Sequence, residues 1–328
     1  MAMHNVPYPQ SGTGAELLSF VKQWLLAGFI AGFGTILPGC SVNRFVMTKA
    51  ADALSGGSAT VFSADDDVEL VGDALPFSLK LYESILDATP NHPGLLLATG
   101  KLCVTYAFAY IQTPAEMLGD SDIDLQVAQR ARAKRMYLRG ARYCMRELQS
   151  THPDFSTAFT GTDLESYLQR EFTRKEDAGA LYWTGMAWMG AYSLDNLDIE
   201  LSITHTRALK LIKRSLQLDE AMDGGAIHEF FISYYGALTA IIGGSEKKAR
   251  EHFKRAVELS RGLKAGPYVN LAATVCVTTQ NRAEFIALLD KALAVDPDAD
   301  PPNRLVNCIT RNKARWMADH IDNYFLSE

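Results

Sequence analysis

Alternating apolar and polar runs bounded by turns are almost absent from this 328-residue chain. That excludes a β-sheet as its main framework. Its five cysteines are too few for a disulfide scaffold at this length. No two of them stand as C-x-x-C, which argues against a zinc ribbon or a thioredoxin-type motif. Charge of one sign is not concentrated: 32 Lys and Arg against 38 Asp and Glu give a net charge of −6. Phosphate binding needs a dense basic surface, so nucleic acid is excluded as the main partner. Only one long apolar run exists, near the N-terminus, and that excludes a polytopic membrane protein. Hydrophobic residues make up 48%, which offsets ordering entropy and excludes disorder as the main state.

What is there begins with that apolar run. Trp24 to Leu37 reads WLLAGFIAGFGTIL, fourteen residues without charge. A spanning helix needs about 20, whereas the apolar core of a secretory signal is shorter. Lys22 supplies a positive flank, partly cancelled by Glu16. Leu37-Pro38-Gly39-Cys40-Ser41 is similar to a bacterial lipobox, with Leu three before the cysteine and a small Gly directly before it. Pro38 is unusual there. The expectation is cleavage before Cys40, lipidation of its thiol, and a chain held at a membrane surface without spanning it. The plainer reading makes Cys40 an ordinary cysteine after an N-terminal anchor. Three segments follow: 1–39 signal peptide, 40–72 tether, 73–328 folded domain. The tether assignment rests on Ser55–Thr60 and on Asp65-Asp66-Asp67, which break a helical pattern.

From Asp73 onward the pattern is helical. Apolar or small residues recur at i, i+3, i+4, i+7 and i+8, starting at 78, 141, 208, 249 and 285, the spacing of one helix face. Three copies have a proline twelve residues after their start: Pro90, Pro153 and Pro297. The last two intervals are 41 and 36 residues, and the first two, 63 and 67, imply insertions. Tetratricopeptide (TPR) repeats have a period of about 34 with a closing proline. Between the copies lie Leu95–Ile111, Ala180–Leu194, Ala226–Ile242 and Tyr268–Thr278, rich in small residues that let helices approach closely. A final helix, about Asn303 to Phe325, caps the series. The expected fold is all-α, a TPR-like helical-repeat solenoid with a C-terminal capping helix. A generic helical bundle is the alternative. The remaining cysteines, Cys103, Cys144, Cys276 and Cys308, read as buried free thiols, with a disulfide left open.

No catalytic constellation stands out, and neither enzyme activity, a cofactor nor a metal is expected. His228-Glu229-Phe230-Phe231 begins like H-E-x-x-H, but position 232 is Ile. No G-x-S-x-G elbow exists. Gly243-Gly244-Ser245-Glu246 lacks the P-loop order and reads as a turn with Ser245 capping the next helix. The basic run Arg130–Arg135 reads as a solvated helix face or a contact with an acidic partner. Aromatic residues on the intervening helices, among them Tyr106, Tyr110, Trp183 and Trp188, read as core or as the lining of an apolar groove.

Several segments together are familiar: Gly72-Asp73-Ala74-Leu75-Pro76-Phe77, Ala180-Leu181-Tyr182-Trp183, Asp223-Gly224-Gly225-Ala226-Ile227-His228-Glu229-Phe230, Pro267-Tyr268-Val269, and Asp296-Pro297-Asp298-Ala299-Asp300-Pro301 through Asn303. From about Asp73 to Phe325 the chain resembles the TatT family, the TPR-containing T component associated with TRAP (tripartite ATP-independent periplasmic) transporters. The resemblance implies a periplasmic lipoprotein, lipid-anchored to a membrane. It implies association with the substrate-binding P subunit, a homotrimer, and a groove or pore for an apolar or organic-acid ligand. It supplies no catalytic motif. Asp223, Gly225, His228, Glu229, Asp298 and Asn303 become candidate contacts beside the four aromatics. A structural reading of His228 and Glu229, ordering an interhelical turn, stands next to that one. The alternative function is a TPR lipoprotein scaffold for envelope protein assembly.

Overall fold

The computed structural model describes residues 39–56 and 59–326, and among these no strand occurs. The chain divides into two compact units, Met1–Met47 and Thr48–Glu328. Of the first, residues 39–47 are described. The leader through Pro38 and the Cys40 side chain lie outside the described residues.

The helices are α1 (Gly39–Gly56), α2 (Ala59–Ser63), α3 (Val68–Ala88), α4 (Pro93–Glu116), α5 (Ile123–Thr151), α6 (Phe155–Thr160) and α7 (Leu164–Glu171). They continue as α8 (Asp177–Leu194), α9 (Ile199–Leu218), α10 (Ala226–Ala237), α11 (Glu246–Leu259), α12 (Gly266–Leu271), α13 (Arg282–Ala294) and α14 (Arg304–Asp319). Helix α3 starts at Val68 and already buries Val71. Packing thus begins a few residues before Asp73.

Their ends follow local chemistry. The Asp67 carboxylate accepts from Leu70 N at 2.9 Å and caps α3. His92 Nδ1 accepts from Leu95 N at 3.1 Å, with Pro93 in the first position of α4. Ser245 caps α11 by accepting from Lys248 N. Each cap satisfies a backbone donor that the helix itself leaves unpaired. Helices α3, α5 and α13 stop at or within three residues before Pro90, Pro153 and Pro297, because a proline removes a donor and disfavours helix in the residue before it.

Most packing is between chain neighbours: α3 on α4, α4 on α5, α8 on α9, α10 on α11, α12 on α13, α13 on α14. Helices apart in the chain also pack, α5 and α4 on α8 and α10 on α12. The apolar α4 is long enough to cross a membrane by length and composition, and it packs here against α3, α5 and α8. Helices α6 and α7 account for the long interval between the second and third sequence copies. Their Phe155, Phe159, Leu164 and Leu168, with Phe172 just after α7, form a core together with Leu148 of α5, Leu181 of α8 and Leu211 of α9.

The neighbouring helices α8 and α9, and α4 and α5, approach closely because glycine stands at the crossings. A Cβ on Gly185 would lie 2.4 Å from Ile212 Cγ1 and 3.0 Å from the Ala208 carbonyl oxygen, and one on Gly100 would lie 2.3 Å from Cys144 Sγ. Gly185→Ala must separate α8 from α9 and is expected to cost about 1–3 kcal/mol, the usual range for overpacking. A thermal melt checks this, and an unchanged Tm would refute the close approach.

The far end returns to the beginning. Leu305 and Ile309 of α14 pack with Val71, Leu75, Tyr106 and Tyr110. Arg304 Nη1 donates to Ala64 O at 3.3 Å, and Lys313 Nζ to Glu116 Oε2 at 2.9 Å. The second unit is therefore joined along a seam between α2–α3 and α14.

Candidate functional site

The ten candidate contacts fall into four places. Tyr106 and Tyr110 stand on α4 with ring centroids 5.8 Å apart, at the seam. The backbone from Ala107 to Gln112 is a π-helical turn, a local widening often found at functional positions. Burial pushes the Tyr110 phenol up to about 12. Its hydroxyl is buried without a hydrogen-bond partner.

Trp183 and Trp188 lie on α8. Trp183 is half-buried between two clusters, and Lys101 Nζ of α4 sits 5.1 Å from its ring centroid. Such a stacked ammonium adds about 0.5–1 kcal/mol at an exposed site. Trp188 stacks on Phe159 at 6.4 Å, so it joins α8 to α6. Both tryptophans pack on the cluster of α4, α5 and α8; beyond it Trp183 reaches the cluster around α10 and Trp188 the one around α6 and α7.

The Asp223 to Glu229 segment forms the densest polar arrangement. Asp223 has φ 47° and Gly225 φ 90°, and this left-handed turn starts α10. A Cβ on Gly225 would press on Leu259 at 3.2 Å in a conformation that side chains seldom adopt. Glu229 forms an ion pair with buried Lys264, and Lys264 Nζ also donates to Asp223 O at 3.1 Å. Asn270 Nδ2 donates to Glu229 O at 3.3 Å. A Cβ on Gly266 would lie 2.0 Å from Glu229 Oε2, so only glycine leaves room for that carboxylate.

His228 is buried, and its Nδ1 lies 2.8 Å from Nδ1 of His252. One ring must carry its proton there and the other must leave that nitrogen bare. Burial lowers the His228 imidazole against the opposing pull of the Glu220 carboxylate, and burial with the His228 and Lys248 charges lowers His252 to about 4. The pair is therefore neutral at physiological pH. Glu229 and His228 tie α10 to α11 and α12, the ordering role that the sequence allows for them. Lys264 and His252 complete it and have no signal in the sequence beyond their residue type.

Asp298 is exposed and pairs with Arg304 at 2.8 Å. Asn303 Nδ2 donates to Asp300 Oδ2 at 2.8 Å. Both sit in the turn leading into α14.

Other expectations meet the structure here. In the basic run, Lys134 Nζ bridges Asp195 and Asp198 at 2.7 and 2.9 Å, and Arg132 lies over Tyr106. Cys103, Cys144 and Cys276 are buried free thiols and Cys308 is half-buried. Among the described residues no group of His, Cys, Asp and Glu is placed to hold a metal ion.

One buried acid was not singled out by the sequence. Glu147, on α5, has an Oε2 without a partner. Burial, reinforced by the Asp177 carboxylate, pushes it from 4.5 up to about 7. An acid with a raised folded value destabilises progressively as pH rises from 4.5 to about 7 and fully above that. Glu147→Gln is expected to raise stability at pH 8 by up to about 3 kcal/mol and to change little at pH 4.5. Melts at the two pH values check the difference; equal effects would refute it.

The family model described as TRAP transporter T-component matches residues 64–325. An uncharacterized protein of Treponema pallidum (strain Nichols) is 31% identical over 302 residues, covering 88% of this chain and 94% of its own. The matched span takes in α3 through α14 and the polar arrangement around Glu229. The chain belongs to the TRAP transporter T-component family.

Proposed function

We propose that this chain is a periplasmic lipoprotein, anchored through Cys40, that binds the substrate-binding P subunit of a TRAP transporter. The family match over 64–325 carries the reading. The family is one of transporter accessory components. The lipobox-like LPGCS segment supports the anchor and is consistent with a position on the P subunit's side of the membrane.

The alternation of helices supports a TPR-like stack, in which one set of helices faces a common side. Half-buried Trp183, Tyr234 and Tyr235 on α8 and α10 offer that side rings for an apolar or organic-acid ligand. In this reading the protein passes its ligand to or from the P subunit without covalent change, and acts as a homotrimer.

The test is a pull-down with residues 41–328 against a periplasmic extract, followed by mass spectrometry. Recovery of a TRAP-type P subunit is the expected result. Recovery of outer-membrane assembly or secretion factors in its place would overturn it in favour of an envelope scaffold.

A further inference from the structure

The seam between the two ends of the second unit holds a solvent-open cavity of about 320 Å³. One wall is α14, with Arg311 and Arg315. The other is the α2–α3 connection and the first turn of α3, with Asp66, Val68 and Glu69. Opposite charges thus line one cavity. Among the described residues, none of Asp66, Glu69, Arg311 and Arg315 forms an ion pair, although neighbours do: Arg304 with Asp298 and Lys313 with Glu116.

The flanking acids are already committed. Asp65 Oδ1 accepts from Asp67 N, and Asp67 Oδ1 accepts from Leu70 N, both at 2.9 Å. Asp66 is left facing the cavity. On the other wall Arg311 Nε is buried without a partner, and Arg315 has only Asn312 Oδ1 at 3.4 Å. A guanidinium group held unpaired in this way presents donors matched to a carboxylate.

We propose that this seam cavity binds a small zwitterion, a carboxylate beside a primary or secondary ammonium, as in a free α-amino acid. The carboxylate lies against Arg311 and Arg315, and the ammonium donates to Asp66 and Glu69. A quaternary ammonium fits poorly, because such cations are held by aromatic faces and no aromatic ring lines the cavity. A metal cation fits poorly too, since the acids here do not converge as a ligand set. Val68 is the one aliphatic side chain on the walls, so a small or polar ligand side chain is favoured. The charge arrangement carries this inference independently of the transporter reading.

The test is equilibrium binding of each of the twenty proteinogenic amino acids, singly, to the full chain. Saturation-transfer NMR and calorimetry give the readout. At least one should bind at millimolar concentration or better. Arg311→Gln and Asp66→Asn should each weaken it about tenfold or more, the loss of one charge-assisted contact. Acetate and ethylamine, each carrying half of the pattern, should bind at least about tenfold more weakly. No binding by any amino acid, or binding untouched by both substitutions, would overturn the proposal. Acetate binding as tightly as the amino acid would overturn the zwitterion assignment.

Discussion

Lys264→Met is expected to destabilise the protein by about 3–5 kcal/mol, the cost of leaving one partner of a buried ion pair uncompensated. Lys264 has 7% of its side chain exposed and Glu229 has 16%. Removing the ammonium leaves the carboxylate pressed against Gly266 with no cation beside it. It also releases the Asp223 carbonyl, which the lysine holds in its left-handed turn. For a domain of this size the loss corresponds to a fall in Tm of about 10 °C. Adding Glu229→Gln to Lys264→Met should recover a large part, because a neutral amide costs less to bury than a lone charge. A double-mutant cycle followed by thermal and urea unfolding measures the coupling. Additive effects would mean that the pair contributes nothing as a pair.

The second large effect concerns location. Cys40→Ala is expected to move the protein from the membrane pellet to the soluble fraction, with its helical circular dichroism unchanged. An acyl chain contributes about 0.8 kcal/mol per buried methylene, and two chains make anchoring stable where one is marginal. The unit Thr48–Glu328 holds α3 through α14 and their cores, and the circular dichroism of the variant reports on that unit. Retention of the variant in the membrane would refute lipidation and point to an uncleaved Trp24–Leu37 segment as the anchor.

Much of the helical framework was legible because its causes are local. Periodicity at 3.6 residues, the prolines after α3, α5 and α13, and the Ser245 cap all act within a few residues. The apolar face was read less well. Counting from Ser78 included Leu81, which is 40% exposed, whereas the buried set of α3 is Val71, Leu75, Leu79, Tyr82, Ile85 and Leu86. One face of a helix can be shifted by a residue without losing its period, and only the neighbouring helix selects between the two. The π-helical turns at Ala107–Gln112 and Ala272–Cys276 had no sequence signal, because they answer to packing on other helices.

The candidate residues divide in the same manner. The sequence by itself determined an all-α chain, its turns, its small-residue crossings and, through its motif segments, its family. Only the tertiary structure decided what the side chains touch. It paired Glu229 with Lys264 and His228 with His252, and brought Asp66 and Glu69 to the same cavity as Arg311 and Arg315. Those partners lie from 24 to more than 200 residues apart in the chain. Local chemistry fixes where a helix begins and ends, but contacts across such distances exist only once the helices have packed.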